Sequence, residues 1–172
     1  MDPLNPFDPI PHWILDWMES TWVNHLVVGY AWSWPTLETL HFIGMCLLFG
    51  PLIIMDLRLA GFDRVNIPVS AVHTLIPLTI AGFVINLTTG ILFCFGDPYR
   101  YAINISFQLK MLLVILAALN ALFFWFKVTP MIEGPNAVEN PPFYIKAVGV
   151  ASLLMWTGVL AFGRLIPYLG TG

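Results

Sequence analysis

The amino-acid sequence predicts an all-α membrane protein, in which an amphipathic interfacial helix precedes a bundle of four transmembrane helices. Composition is the first reason, because the 172 residues are 58% hydrophobic and 10% charged, whereas soluble domains carry about 25% charged residues. The second is that the apolar residues gather in four long stretches. Each can cross the ~30 Å hydrocarbon core of a bilayer, which takes about 20 helical residues.

The four predicted spans belong to one bundle domain, residues 32–172. Polar joins that are rich in proline and glycine separate them, as at Gly96-Asp97-Pro98, because such residues break helices outside lipid. The spans are predicted at about residues 34–56, 70–95, 106–128 and 143–168.

The N-terminal extension, residues 1–31, is predicted to contain the interfacial helix between Ile10 and Ala31. Its apolar residues recur with the period of a helix, and tryptophan is frequent among them. This apolar face consists of Trp13, Ile14, Trp17, Met18, Trp22 and Leu26. The first 25 residues contain no lysine or arginine and no continuous apolar run, so no cleavable signal peptide is expected.

The positions of lysine and arginine predict the orientation in the membrane. No lysine or arginine precedes Arg58, and cytoplasmic loops are the ones that carry an excess of these residues. We therefore expect a multi-pass protein of a bacterial inner membrane with both termini on the non-cytoplasmic side. The cytoplasmic set would be Arg58, Arg64, Lys127 and Lys146, against Arg100, Lys110 and Arg164 on the other side.

Charge and motif content exclude several functions. The formal net charge is −3 and no basic run is present, so nucleic-acid binding has no electrostatic basis. Cys46 and Cys94 lie in apolar runs without metal-ligand spacing, and we interpret them as buried thiols. Asp56 and Arg58 are interpreted as structural ties between helix ends. No serine–histidine–acid set, phosphate loop or nucleotide fingerprint occurs.

Five polar residues of the spans are predicted to lie in one layer of the outer half of the bundle. A charge inside a membrane helix costs at least about 2.5–3.5 kcal/mol unless it is paired. Glu38 is expected to balance Lys110 or Arg164, and the surplus positive charge would suit a haem propionate, a quinone oxygen or a carboxylate. The complete layer is Glu38, His41, Asn86, Lys110 and Arg164.

His41 is the strongest candidate for cofactor binding, because a neutral imidazole in a four-helix bundle commonly holds the iron of haem b. Gly44, one helical turn further on, would let a flat ligand rest against the helix. Glu38-x-x-His41 is also half of a di-iron carboxylate motif. That reading is set aside because no second copy exists.

A second metal ligand is less clear from the sequence. His73 is expected roughly 20 Å from His41 along the helix axes, on the cytoplasmic side. His25 lies on the interfacial helix, on the same side of the membrane as His41, and is therefore a better candidate for the second ligand. The possible sulfur ligands are Met45, Met111 and Met155, although methionine more often serves in packing.

A series of motifs extends from the first span to the end of the chain and resembles an uncharacterised family of small bacterial four-helix membrane proteins. The resemblance implies the fold but no function, since that family has none assigned. A histidine early in the first span is also similar to the copper-resistance-D-type membrane domain and to haem-binding bacterial protoporphyrinogen oxidases, which implies haem or metal chemistry at His41. The motifs are Trp34-Pro35-x-x-Glu38-x-x-His41-x-x-Gly44, Asp56-x-Arg58-Leu59-x-Gly61, Gly82-Phe83, Thr89-Gly90, Asn104-x-x-Phe107-x-x-Lys110, Asn120 and Gly163-Arg164.

Three functional hypotheses follow. The first is a membrane electron-transfer protein that binds haem b through His41 and exchanges electrons with quinone. The second is a non-catalytic accessory subunit of a larger respiratory or photosynthetic membrane complex. Transport of a small ion ranks last, because four helices leave little room for a lumen and no acidic residue is expected at mid-depth.

Overall fold

The computed structural model describes residues 10–62, 69–133 and 142–169, and the regular structure of these residues is helical. Four helices are long and apolar enough to cross a membrane, which confirms the predicted fold class. The helices are α1 (His12–Glu19), α2 (Trp22–Gly29), α3 (Ser33–Ala60), α4 (Val69–Gly96), α5 (Pro98–Ile103), α6 (Ile105–Phe123), α7 (Thr129–Glu133) and α8 (Phe143–Leu165), with a π-helical turn at Phe124–Val128 that joins α6 to α7.

Local sequence signals set the helix boundaries on either side of the spans. Gly61 ends α3 with a φ of 108°, a left-handed conformation that glycine adopts without a steric penalty. Asn104 begins α6, since its side-chain oxygen accepts a hydrogen bond from the Phe107 amide at 3.1 Å. The Asn104 amide group also donates to the carbonyl oxygens of Ile166, at 2.9 Å, and Leu169. One buried side chain therefore joins the start of α6 to the end of α8.

The four long helices are arranged around α3 and α8. α3 packs against both α4 and α8, and α8 packs against α6, whereas the described parts of α4 and α6 hardly touch each other. α3 and α8 are accordingly the more buried pair, and α4 and α6 expose most of their apolar surface. In a bilayer that exposed surface faces lipid.

Glycines bring these helices into backbone contact. A Cβ at Gly82 of α4 would lie 2.7 Å from the Gly44 carbonyl oxygen and 2.8 Å from the Leu47 carbonyl carbon of α3. A Cβ at Gly149 of α8 would lie 2.7 Å from the Asp56 carbonyl oxygen. Both distances are shorter than real Cβ contacts, so only glycine permits these crossings, as small residues commonly do in membrane bundles.

The predicted single helix between Ile10 and Ala31 is in fact two helices, α1 and α2. The hydroxyl of Ser20 donates to the Trp17 carbonyl oxygen at 2.8 Å, and that of Thr21 donates to the Met18 carbonyl oxygen at 2.7 Å. Thr21 is extended and caps α2 by accepting from the Asn24 amide at 3.3 Å. Side chains that bond nearby backbone compete with helix continuation, which explains the break.

α1 and α2 fold back over the end of the bundle where α5 joins α4 to α6. This end is called the capped end, and the opposite end is called the distal end. The Asn24 side-chain amide donates to the Phe95 carbonyl oxygen at 2.8 Å, and Trp17 packs edge-on against the Phe95 ring. The Tyr99 hydroxyl donates to the Asp16 carboxylate at 2.5 Å, a bond that raises the pKa of Tyr99 to about 12.

The Gly82 contact predicts a large difference between two glycine-to-alanine substitutions on the same helix. Gly82→Ala should lower the free energy of unfolding by about 1–3 kcal/mol, because the new methyl group meets the backbone of α3. Gly90→Ala is the matched control, because a Cβ there meets nothing within 4 Å. Thermal unfolding of both variants in the same detergent measures the effect. Equal stability of the two variants would contradict the crossing.

Candidate functional site

His41 lies at the interface between α3 and α4 in the half of the bundle next to the capped end. Its Nδ1 atom is 2.7 Å from the Thr89 hydroxyl oxygen, and its ring stands edge-on to Phe93 at a centroid distance of 5.6 Å. The Gly44–Gly82 crossing sets this register, since His41 is three residues from Gly44 and Thr89 is seven from Gly82. The Thr89 hydroxyl and the Phe93 ring of α4 therefore both hold the His41 side chain.

The hydrogen bonds of Thr89 assign the tautomer of His41. The Thr89 side chain is only 3% exposed, and its oxygen lies 2.8 Å from the Ile85 carbonyl oxygen. We assign the hydroxyl proton to that carbonyl, the usual bond of a threonine within a helix. Thr89 then accepts from His41 Nδ1–H, so Nε2 keeps its lone pair. A histidine that binds metal is typically prepared in this way.

Lys110 of α6 enters the same region from the opposite side of the bundle. Its stem lies along Gly163 of α8, where a Cβ would be 3.3 Å from Nζ and 3.6 Å from Cε. The ammonium group interacts electrostatically with His41 and with Cys94 of α4. Within the described residues it has neither a hydrogen bond nor an ion pair. Gly163 thus makes room for a partly buried positive charge beside a histidine.

Glu38 and Arg164 do not form the ion pairs expected from the sequence. Glu38 is exposed, and its carboxylate accepts a hydrogen bond from Trp34 Nε1 at 3.1 Å. Arg164 is also exposed, and it donates to the Tyr168 hydroxyl at 3.3 Å and lies over the Tyr168 ring at 5.4 Å. Both residues stand near helix ends, where long charged side chains extend toward water. The pairing of Glu38 with Lys110 or Arg164 was therefore wrong.

Asn86 and Gly44 serve the contact between α3 and α4. The Asn86 side-chain amide donates to the Gly82 carbonyl oxygen at 3.0 Å, while its own oxygen is buried without a partner among the described residues. A Cβ at Gly44 would lie 2.8 Å from Ile85 Cγ2 and 2.9 Å from Asn86 Nδ2. Side chains of α4 therefore fill the space that the sequence suggested for a flat ligand. The expected role of Gly44 was wrong.

The other two candidate histidines lie at different levels from His41. His25 is exposed on α2, which meets α4 at Phe95, six residues or about 9 Å beyond Thr89 along the helix axis. His73 precedes Thr89 by sixteen residues on α4, which is about 24 Å along the axis. The His73 side chain lies outside what the structure describes. Among the described residues, His41 is thus the one candidate histidine at its depth in the bundle.

Metal ligation by a cluster of side chains has no basis in the described ranges. They contain no group of three or more His, Cys, Asp or Glu side chains that could hold a metal ion. Of the candidate sulfur ligands, Met111 is 38% exposed on the outer surface of α6, whereas Met45 and Met155 are partly buried. Cys46 is exposed and not buried as expected, because it lies about 200° around α3 from Gly44.

Four residues that the sequence did not single out as site residues complete the region: Phe93, Cys94, Tyr101 and Thr89. Burial is the main reason that the pKa of Tyr101 is raised to about 12, and the charges of Cys94 and Glu38 act in the same direction. Tyr101 also packs edge-on against Phe107 at 5.1 Å. The contact with Phe107 joins α5 to α6, whereas Glu38 acts from α3, which is distant in sequence. Of these four residues, only Thr89 could be noticed in the sequence, because its hydroxyl group lies in an apolar span.

Comparison with known sequences identifies a protein family. The sequence profile of a family of unknown function (DUF6644) matches residues 14–169, which covers the four long helices and most of the capped end. No curated protein and no solved structure matches the chain. The comparison thus agrees with the resemblance to an uncharacterised family and brings no activity with it.

The bond between His41 and Thr89 predicts the position of one proton. In ¹⁵N-histidine NMR spectra, His41 should carry its proton on Nδ1 and leave Nε2 free. Thr89→Val removes the acceptor and should abolish this preference. Thr88→Val is the matched control, because that exposed hydroxyl bonds only the Val84 carbonyl oxygen. A wild-type His41 with its proton on Nε2 would contradict the assignment.

Proposed function

The chain belongs to this family of unknown function, and we propose that it is a membrane electron-transfer protein that binds haem b through His41. The observation that carries the proposal is an imidazole oriented by Thr89, with the side chain of Lys110 near it. A haem supplies one-electron chemistry when it is bound. The protein residues would set its position and its electrostatic surroundings.

His41 would hold the haem iron through Nε2. Donation of Nδ1–H to Thr89 fixes the ring and increases the basicity of the other nitrogen. The Phe93 ring at 5.6 Å restricts the rotation of the imidazole. Since Thr89 is almost fully buried, water has little access to this bond. The pair is therefore suited to hold one iron-ligating nitrogen in a constant orientation.

Lys110 would bind an anionic group of the cofactor. Its ammonium group has no described acceptor, and a charge in a membrane helix is stable only with a partner. A haem propionate is a carboxylate and supplies that partner. A quinone oxygen could accept the same hydrogen bond, so a quinone is the proposed electron-exchange partner at this site.

The arrangement of the helices supports a site between α4 and α6. His41 and Cys94 approach this region from one side and Lys110 from the other, although α4 and α6 hardly touch in the described residues. A haem held here through His41 alone would stay open to an external ligand such as carbon monoxide.

We further propose that the capped end faces away from the cytoplasm of a bacterial cell. The start of the chain before α3 has no lysine or arginine, whereas Arg58 and Lys146 lie toward the distal end, and cytoplasmic segments are enriched in these residues. A reporter enzyme that is active only outside the cytoplasm, fused after residue 172, should be active. Activity only of a cytoplasmic reporter there would reverse the orientation.

A second candidate function is that of an accessory subunit in a respiratory or photosynthetic membrane complex. Four tryptophans at or next to the capped end favour it, because each exposes more than half of its surface and tryptophan is common in protein interfaces. Co-purification of a colourless chain with a larger complex would support this function against the first. The four residues are Trp13, Trp17, Trp22 and Trp32.

The haem proposal predicts a Soret absorption band in protein that is purified in mild detergent from cells supplied with haem. His41→Ala should abolish the band, because the residue that would hold the iron is lost. Lys110→Met should weaken haem retention about tenfold, the effect of one charge-assisted hydrogen bond. His25→Ala is the matched control and should keep the band, since His25 is exposed at a different level.

Two outcomes would contradict the proposal. One is a wild-type protein that is folded and remains colourless after incubation with haem. The other is a Soret band that His41→Ala leaves unchanged in height and position. Addition of carbon monoxide to the reduced wild-type protein provides a further check, because a single protein ligand predicts a shift of the band.

A further inference from the structure

The distal half of the bundle contains a buried carboxyl group, Asp56, that has no part in the proposed haem site. Asp56 is only 6% exposed and lies fifteen residues after His41 on α3, which is about 22 Å along the helix axis. α8 covers this part of α3, because Gly149 brings the two backbones together at Asp56. The sequence suggested a structural tie at the helix end, whereas the side chain is enclosed between helices.

The two carboxyl oxygens of Asp56 have different surroundings. The Ser152 hydroxyl of α8, itself 7% exposed, forms a side-chain hydrogen bond with the carboxyl group. The other oxygen, Oδ2, is buried and has no hydrogen-bond partner among the described residues. Buried polar atoms are nearly always satisfied, so this oxygen is a position at which a proton or another ligand would be stabilised.

Burial is the main influence on the Asp56 carboxyl, and the Ser152 hydroxyl is the other described group that acts on it. Arg58 lies two residues after Asp56 on α3 and has interactions of its own. Lys146 lies six residues before Ser152 on α8. On α4, His73 lies toward the distal end with its side chain outside the described residues. A negative charge enclosed in this way is highly unfavourable.

We propose that Asp56 is a proton-binding site in which the Ser152 hydroxyl holds the carboxyl group in place. A proton from water binds Oδ2 of the carboxylate and forms an O–H bond, which removes the buried charge, and its release to water restores the carboxylate. A metal ion fits less well, because two carboxyl oxygens and one hydroxyl are too few for the roughly six to eight oxygen ligands of Ca²⁺. The site is independent of haem binding at His41.

Chemical labelling tests the proposal in the full-length protein reconstituted in liposomes. A lipid-soluble carbodiimide reacts with protonated carboxyl groups that are shielded from water. It should add one reagent mass to the peptide that contains Asp56, and Asp56→Asn should abolish this adduct. The labelling yield should fall about tenfold for each pH unit above the pH at which half of the Asp56 carboxyl groups are protonated. Glu38→Gln is the matched control and should leave the Asp56 adduct unchanged, because Glu38 is exposed.

Infrared difference spectra provide a second readout that does not require Asp56→Asn to fold. The wild-type protein should show a carboxylic-acid C=O band below the pH midpoint of the group, and Ser152→Ala should shift this band because it removes a hydrogen bond. Labelling of Asp56 that is independent of pH would overturn the proposal. So would the absence of any adduct at Asp56, or the absence of an acid band that responds to Ser152→Ala.

Discussion

The backbone contact between α3 and α4 is the constraint on which the rest of the structure depends. Gly82 has no side chain, and a Cβ there would lie 2.7 Å from the Gly44 carbonyl oxygen. Lipid offers no hydrophobic driving force between apolar helices, so close packing has to hold them together. The depth at which the two helices meet also fixes the register of every polar group on them. His41 meets Thr89 because the crossing lies one to two turns away.

Glycines of α8 allow close packing at two other places in the bundle. Gly163 of α8 leaves room for the stem of Lys110, and Gly149 of α8 allows α3 to approach at Asp56. α3 and α8 are therefore the central pair: α3 carries His41 and Asp56, and α8 makes room for Lys110 and approaches Asp56. The half next to the capped end combines a histidine with a lysine, and the distal half encloses a carboxyl group. The proposed electron-transfer site and the proposed proton site thus lie on one helix, α3.

The sequence predicted the four spans well because transfer of apolar residues into lipid is a property of each segment alone. Depth along the helices also placed His41 and Lys110 in one predicted layer, since helix rise is constant. The sequence-based prediction was wrong where the direction of a side chain around the helix axis decides what it contacts. Gly44 was assigned to a ligand but packs against Ile85, and Cys46 was assigned to the interior but is exposed. Burial of Asp56 depends on Gly149 of a distant helix, which no local pattern reveals.

Cross-linking of a cysteine pair tests the register of α3 and α4 most directly. In a background without Cys46 and Cys94, the pair His41→Cys with Thr89→Cys should form a cross-link with a short thiol-specific reagent, because the native side chains are in contact at 2.7 Å. The pair His41→Cys with Thr88→Cys should react much more slowly, since Thr88 is exposed about 100° away around α4. Equal rates, or faster reaction at position 88, would contradict the crossing and the site built on it.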